Sequence, residues 1–312
     1  MKEKELIDRY FHHHIGEDVI VGVGDDGAVL KISENHQLVV STDSMVQGRH
    51  FLNSTPPYFI GYKLMAVNIS DMAAMCAMPK WITLNLTLPF IDESWLKDFS
   101  QGFNDCAKQL NISLIGGDLT SGAELNVSAQ ILGVIPKDQA ILRSEAQADD
   151  LLFVTGKIGS AGKALEYLLE NNYDHQVLSD ELLKSLYQPT SRVMIALDLQ
   201  KYITSMIDIS DGLLHEAELL CQSSQLGAQI DFESIPIIES HDPLKAIVAG
   251  DDYELLFTAN IKYKSEIEEI AQRHSCSITQ IGKMKQRLDK VELLKRGKII
   301  TKPNITGFEH FA

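Results

Sequence analysis

The sequence predicts an α/β (α+β) protein built as two domains. Three observations carry that expectation. The 312 residues exceed what a single hydrophobic core usually organises. Strand-like and helix-periodic runs interleave along the whole chain. A polar stretch over 136–150, PKDQAILRSEAQADD, opens with proline and separates two halves of similar style. The expected domains are 1–137 and 138–312.

In the first half, Leu6, Ile7, Tyr10 and Phe11 stand at helical spacing, which predicts a short amphipathic helix over 4–14. Three consecutive histidines, His12, His13 and His14, point in different directions on such a helix and do not converge on one ion. They read as solvated surface. Strands are expected at 28–32, 37–42, 81–88 and 125–135, where apolar and β-branched residues alternate with polar ones. Helices are expected at 61–75 and 95–110, the second followed by a short strand, ISLIGG.

The second half opens on the strand LLFVTG, then a glycine turn and helix, GKIGSAGKALEYLLE, then a polar segment. A helix near 191–199 leads to the strand SMIDIS, the helix DGLLHEAELLCQSS and the strand GAQIDF. The turn and strand AGDDYELLFTA, the helix SEIEEIAQRH and a short terminal tail complete the chain. Acid-bearing turns recur in both halves.

Lys and Arg number 28 against 43 Asp and Glu, a formal charge of -15, which argues against a nucleic-acid backbone as partner. An anionic substrate would need a metal escort. The four cysteines form no C-x-x-C pair, so neither a zinc knuckle nor a disulfide framework is suggested, and a reducing cytoplasm is expected. No run approaches the roughly 20 apolar residues of a membrane helix, and no charged start precedes an apolar stretch. A soluble, unexported protein with no membrane partner is expected.

The stretch GVGDDGA, 22–28, fits the G-x-G-x-x-G pattern of a dinucleotide loop, and Asp43 stands about where an acid on the ribose would follow. The context fails: AVLKIS after the glycines is β-like, and two aspartates would face the pyrophosphate. TGKIGSAGKAL resembles a Walker A loop, but Gly156 to Gly162 is one residue too long and Ala164 stands where Ser or Thr should bind magnesium. It reads as a glycine turn entering a helix.

Aspartates also stand at the end of strand-like runs, at Asp43, Asp118, Asp208 and Asp211, and Asp71 lies mid-helix. Singly, each reads as a cap or turn former, and Ser210-Asp211 before GLLHEAELL fits an N-cap. As a set they differ. Asp26, Asp43, Asp71 and Asp118 sit beside small or hydroxyl residues that leave room for oxygen ligands, among them Ser41, Thr42 and Gly117. Two carboxylates about 4 Å apart repel by roughly 4 kcal/mol at an effective dielectric near 20, so a shared pocket needs a bridging cation. Mg2+ carried in with a nucleotide suits that ligand set.

The stretches GDDGA, STDSMVQGRHF, GYKLMAVNISDMAAMCAMPKW, IGGDLTSG, IDISDGL and GDDYELLF, in this order, resemble the thiamine-monophosphate kinases. These belong to the superfamily of aminoimidazole ribonucleotide synthetase, with selenophosphate synthetase and hydrogenase-maturation proteins. The resemblance spans nearly the full chain. It implies an N-terminal mixed-sheet domain whose strands pair across a homodimer, and a C-terminal α/β sandwich. It implies direct transfer of the γ-phosphoryl group of ATP to thiamine monophosphate, assisted by several Mg2+ ions. By that resemblance Asp26, Ser41, Thr42, Asp43, Asp71, Asp118, Asp208 and Asp211 are metal ligands. Gly117, Asp118, Arg143 and Ser210 hold ATP, and His50, Asp251 and Phe308 meet the acceptor. One departure stands at Asp251, where the family usually has a glutamate. A related ATP-dependent synthetase and a non-catalytic maturation or scaffold protein are the alternatives. Selenophosphate synthetases usually carry a reactive cysteine near the N-terminus, and no cysteine precedes Cys76 here.

Overall fold

The structure is a computed structural model that describes residues 9–10, 17–21, 29–30, 32–239, 241–286 and 290–301. The chain divides into two compact units, Met1–Met72 with Ala77–Ala140, and Ala73–Cys76 with Ile141–Ala312.

In the first unit, short strands β1 (Val19–Val21) and β2 (Val29–Leu30) pair antiparallel. Next come β3 (His36–Val46), helix α1 (Pro57–Ala74), β4 (Met78–Leu88), helix α2 (Glu93–Lys108), β5 (Ser113–Ser121) and β6 (Asn126–Pro136). The sheet order is β3-β6-β4-β5, antiparallel except for the parallel β4/β5 pair that helix α2 connects. A parallel pair needs such a crossover.

One sheet face carries the core. Met45, Ile82, Leu84, Leu86, Val127, Ala129 and Ile131 are all buried, as period-two alternation requires, together with Leu64, Met65, Ile69, Met72, Phe99 and Phe103 from the helices. Each large side chain so buried contributes about 1.5–3 kcal/mol. Helix α1 is buried at every position from Ile60 to Ser70, with Lys63, Asn68 and Ser70 among otherwise largely apolar residues. The two helices approach at Gly61 and Gly102, where an added Cβ would collide with the backbone oxygens of Phe99 and Tyr58. Helix α2 starts at Asp92, whose carboxylate accepts the Ser94 and Trp95 N–H groups at 2.9 and 3.1 Å.

The second unit contains β7 (Leu151–Thr155), α3 (Ser160–Glu170), α4 (Asp180–Tyr187), α5 (Val193–Leu199), β8 (Ser205–Asp208) and α6 (Leu213–Ser224). Then follow β9 (Gly227–Asp231), α7 (Pro243–Ala246), β10 (Leu255–Ala259), α8 (Lys264–Arg273), β11 (Ile278–Lys285), β12 (Val291–Lys295) and β13 (Lys298–Ile300). Its seven-stranded sheet runs β13-β12-β9-β11-β7-β10-β8, with β9/β12 parallel and the other pairs antiparallel. Leu152, Val154, Ile207, Leu256, Ile230 and Ile281 pack with Leu213, Ala217 and Leu220 of α6 in one core.

The two-domain mixed α/β architecture is the one expected. The tail after α8 is not short and structureless: it supplies β11 to β13, and α4 lies in what reads as a polar segment. The expected strand over 28–32 is described only at Val29–Leu30, and the expected helix over 4–14 only at Arg9–Tyr10.

Candidate functional site

In the first unit, β3 presents Ser41 and Asp43 on the same face as buried Met45, because side chains two apart share a face. The Ser41 hydroxyl donates to Asp71 Oδ2 on α1 at 2.5 Å, so the structure brings these two candidate site residues together. The pleat sends Thr42 to the opposite face, where its hydroxyl accepts the Gln130 Nε2–H at 3.3 Å. The Thr42 hydroxyl thus lies on the other side of β3 from the side chains of Ser41 and Asp43.

Gly117 and Asp118 lie on β5, with Asp118 exposed. Gly117 adopts φ 155, and an added Cβ would collide with the Leu84 carbonyl oxygen, so the position requires glycine. Register runs Asp43 to Ala129, Ala129 to Leu84, and Leu84 to Gly117. Strands β3 and β5 are therefore three inter-strand steps apart, about 14 Å. One cation with ligand distances near 2.1 Å does not bridge Asp43 and Asp118 of a single sheet at that separation.

The turn after β3 holds His50, whose Nδ1 accepts the Val46 N–H at 3.0 Å. That bond places the proton of the neutral ring on Nε2, which leaves Nε2–H as the donor His50 offers.

In the second unit, β8 ends at Asp208, only 4% exposed, and Ile209 to Gly212 turn the chain into α6. A second turn, 249–254, locks onto the first. Asp251 N–H donates to the Ser210 carbonyl at 2.7 Å, Tyr253 N–H to the Ile209 carbonyl at 2.8 Å, and Ile209 N–H to the Glu254 carbonyl at 2.8 Å. Asp251 and Tyr253 take φ 71 and 50, a left-handed backbone that side-chain-bearing residues adopt rarely and only where surroundings enforce it. The Tyr253 hydroxyl then donates to Asp251 Oδ1 at 3.0 Å.

Neighbouring acids anchor this second turn. Asp252 accepts the Gly159 N–H with both oxygens, at 3.0 and 2.8 Å, at the start of α3. Burial pushes its carboxyl well above the usual carboxylate range, against the pull of that N–H. The helix start that resembles a Walker A loop thus already holds a protein carboxylate. Glu254 accepts Arg192 through Nε at 2.6 Å and Nη2 at 2.5 Å, and the Thr155 hydroxyl at 2.5 Å, a bidentate pair with its oxygens satisfied.

Glu216, one turn into α6, is 2% exposed, and its Oε1 accepts the Ser210 hydroxyl at 3.3 Å and the Asp211 N–H at 3.2 Å. Burial pushes its carboxyl up to about 7, while the Asp211 N–H and the Arg143 charge pull the other way. Arg143 is exposed, and its carbonyl is pinned by the Ser205 and Ser224 hydroxyls at 3.0 and 2.8 Å. The structure therefore gathers Arg143, Ser210, Asp211 and Glu216. Ligand atoms of Asp211, His215 and Glu216 lie within 4.8 Å of one another.

Sequence reasoning missed Glu216, Tyr253 and the anchoring role of Asp252 and Glu254. The available signal was an acid on the apolar stripe of α6, between Leu213 and Leu220. Asp26 in GVGDDGA, the histidines His12, His13 and His14, and Phe308 lie outside the described residues. Among the described residues no helix is long and apolar enough to cross a membrane.

Comparison with known proteins covers both units. Residues 24–135 match the model of the AIR synthase related protein N-terminal domain, and 147–293 that of the C-terminal domain. Thiamine-monophosphate kinase of Buchnera aphidicola subsp. Acyrthosiphon pisum is 38% identical, over 99% of this chain and 98% of its own. That of Escherichia coli K12 is 36% identical, over 99% and 98%. The crystal structure of thiamine-monophosphate kinase from Stenotrophomonas maltophilia superposes with a TM-score of 0.83 at 34% identity, covering 91% of this chain and 93% of that one. AaThiL complexed with AMPPCP and TMP gives 0.77 at 28% identity, covering 92% and 91%. The hydrogenase maturation protein HypE of E. coli, 18% identical with a TM-score of 0.78 over 97% and 96%, shares the fold.

Proposed function

The chain belongs to the AIR synthase related family, among its thiamine-monophosphate kinases, and from that premise we propose how its own residues serve γ-phosphoryl transfer from ATP to thiamine monophosphate. The observation that carries the reading is the interlock of two turns. The resemblance assigns one, through Ser210, to ATP and the other, through Asp251, to the acceptor, and the Asp251 N–H joins them directly at the Ser210 carbonyl.

Mg2+ would be held by Asp26, Ser41, Thr42, Asp43, Asp71 and Asp118 of the first half, 1–137, and by Asp208 and Asp211 of the second, 138–312. The fit rests on hard oxygen donors, with Ser41 and Asp71 already in contact and Asp208 buried. When bound, the ions neutralise phosphate charge and align the reacting oxygens. Arg143, with Gly117, Asp118 and Ser210, serves ATP, its planar fork suiting phosphate oxygens. His50 offers Nε2–H to the acceptor phosphate. Asp251, oriented by Tyr253, faces the cationic ring, and Phe308 supplies an aromatic surface for it. A general base is not required, since the attacking phosphate is already ionised.

A homodimer completes this arrangement. Strands β3 and β5 are the outer strands of their sheet among the described residues, and Asp43 and Asp118 sit on those opposite edges. Pairing β3 of one protomer with β5 of its partner closes the two sheets into a barrel and brings the strand that carries Asp43 next to the partner's strand that carries its Asp118. The sheet face that would turn inward carries Leu38 and Val40, 40% and 49% exposed in one protomer, next to a cluster of Trp81, Ile115, Leu132 and Val134. The four cysteines are free and buried, in keeping with a cytoplasmic setting.

Incubation with ATP, Mg2+ and thiamine monophosphate should yield thiamine diphosphate, and chelation should stop it. Formation of ADP from ATP only with an amidine ribonucleotide or selenide would move the chain to the synthetase reading.

A further inference from the structure

Helix α6 buries Leu213, Leu214, Ala217, Leu220 and Cys221, and one acid, Glu216, lies among them at 2% exposure. A carboxyl withdrawn from water must find donors, and an apolar residue would fill such a position without that demand. The donors Glu216 takes are the Ser210 hydroxyl at 3.3 Å and the Asp211 N–H at 3.2 Å, both in the turn between β8 and α6. Its own N–H closes the first helical bond to the Gly212 carbonyl at 3.1 Å.

We infer that Glu216 is a positioning residue for the nucleotide turn, fixing Ser210 and Asp211 from behind. The inference rests on the assignment of that turn to ATP and metal. The Ser210 hydroxyl has one proton and gives it to Glu216, so its oxygen faces outward as an acceptor. Ser210 then serves a cation or an N–H group, and a phosphate oxygen, which needs a donor, must be met by Arg143 or by a metal. Asp211 is held in the same way through its backbone N–H.

The test uses the full-length protein with Glu216→Gln, Glu216→Leu and Ser210→Ala. ATP binding is measured by calorimetry with Mg2+ present and no acceptor, alongside thermal unfolding and steady-state kinetics. Glu216→Leu should fold with an unfolding temperature at or above wild type, since the apolar residue suits its surroundings, yet bind ATP roughly tenfold more weakly. Its KM for ATP should rise by a similar factor while that for thiamine monophosphate stays within about twofold. Glu216→Gln keeps an acceptor oxygen and should recover most of the affinity. Ser210→Ala should weaken ATP binding, and adding Glu216→Leu to it should cost less than Glu216→Leu alone. Unchanged ATP affinity in Glu216→Leu, or failure of both Glu216 variants to fold, overturns the inference. Wild type that binds ATP but makes no thiamine diphosphate would refute the acceptor and leave the Glu216 binding test standing.

Discussion

The backbone N–H of Asp251 donates to the carbonyl of Ser210 at 2.7 Å, so the residue assigned to the acceptor hangs from the residue assigned to ATP. Displacing one turn must displace the other. The preceding Gly250 permits the approach, because a Cβ there would collide with the Ser210 carbonyl oxygen. Gly250→Ala should therefore destabilise the protein by about 1–3 kcal/mol. It should also raise the KM for both substrates. A change in only one KM, on folded protein, would show that the turns move independently.

Asp251→Ala should raise the KM for thiamine monophosphate by roughly 3- to 30-fold and leave that for ATP nearly unchanged. Tyr253→Phe removes the hydroxyl that donates to Asp251 and should act in the same direction, more weakly. The two effects should not add, since Tyr253 works through Asp251. Full additivity in the double variant would disconnect Tyr253 from the acceptor.

Asp43→Asn and Asp118→Asn should each abolish turnover with the fold intact. If Asp43 of one protomer works beside Asp118 of the partner subunit, mixing the two variants after dissociation restores activity. Random pairing makes half the dimers mixed, each with one intact site, so recovery should reach about a quarter of wild type. No recovery, with mixed dimers shown to form, would place both acids in one protomer's site or exclude this pairing.

Glu166 links two lysines, accepting Lys163 and Lys245 at 2.7 Å each. These bonds hold its carboxyl down from 4.5 to about 2. A depressed folded value means the contribution is present above pH 4.5 and lost as pH falls towards 2. Solvent screening limits it to at most about 1 kcal/mol. Glu166→Gln should lower the melting temperature slightly at neutral pH and close the gap to wild type under acid. A constant gap across that range would remove the ion pairs as the cause.

Much of the fold was legible because alternation and helical spacing are local signals. Strand β6 alternates polar and apolar residues from Asn126 to Ile131, and α6 shows its buried stripe. The hairpin of β12 and β13 was missed although Arg296 and Gly297, at φ 50 and 73, form the tight turn between its strands. Its lysines mask the alternation of an edge. In the site, the aspartates were conspicuous through their small neighbours and their place at strand ends. Glu216 was not, since an acid on a helix ordinarily faces water. The pairing of Tyr253 with Asp251 depends on two left-handed residues, which residue spacing does not encode.

Strand β7 occupies the interior of the seven-stranded sheet, yet its partners are Leu256–Ala259 on one side and Ile278–Lys283 on the other. During synthesis Leu151–Thr155 leaves the ribosome more than a hundred residues ahead of either neighbour. At ordinary translation rates that interval is on the order of ten seconds. The first unit meanwhile has every strand of its sheet in hand by Pro136. The nascent chain thus carries a finished amino-terminal half and a bare LLFVT segment, a short apolar β-former of the kind that sticks to other chains. Yield in a host short of chaperones should be governed by this waiting strand, and by how quickly β10 and β11 arrive to cover it.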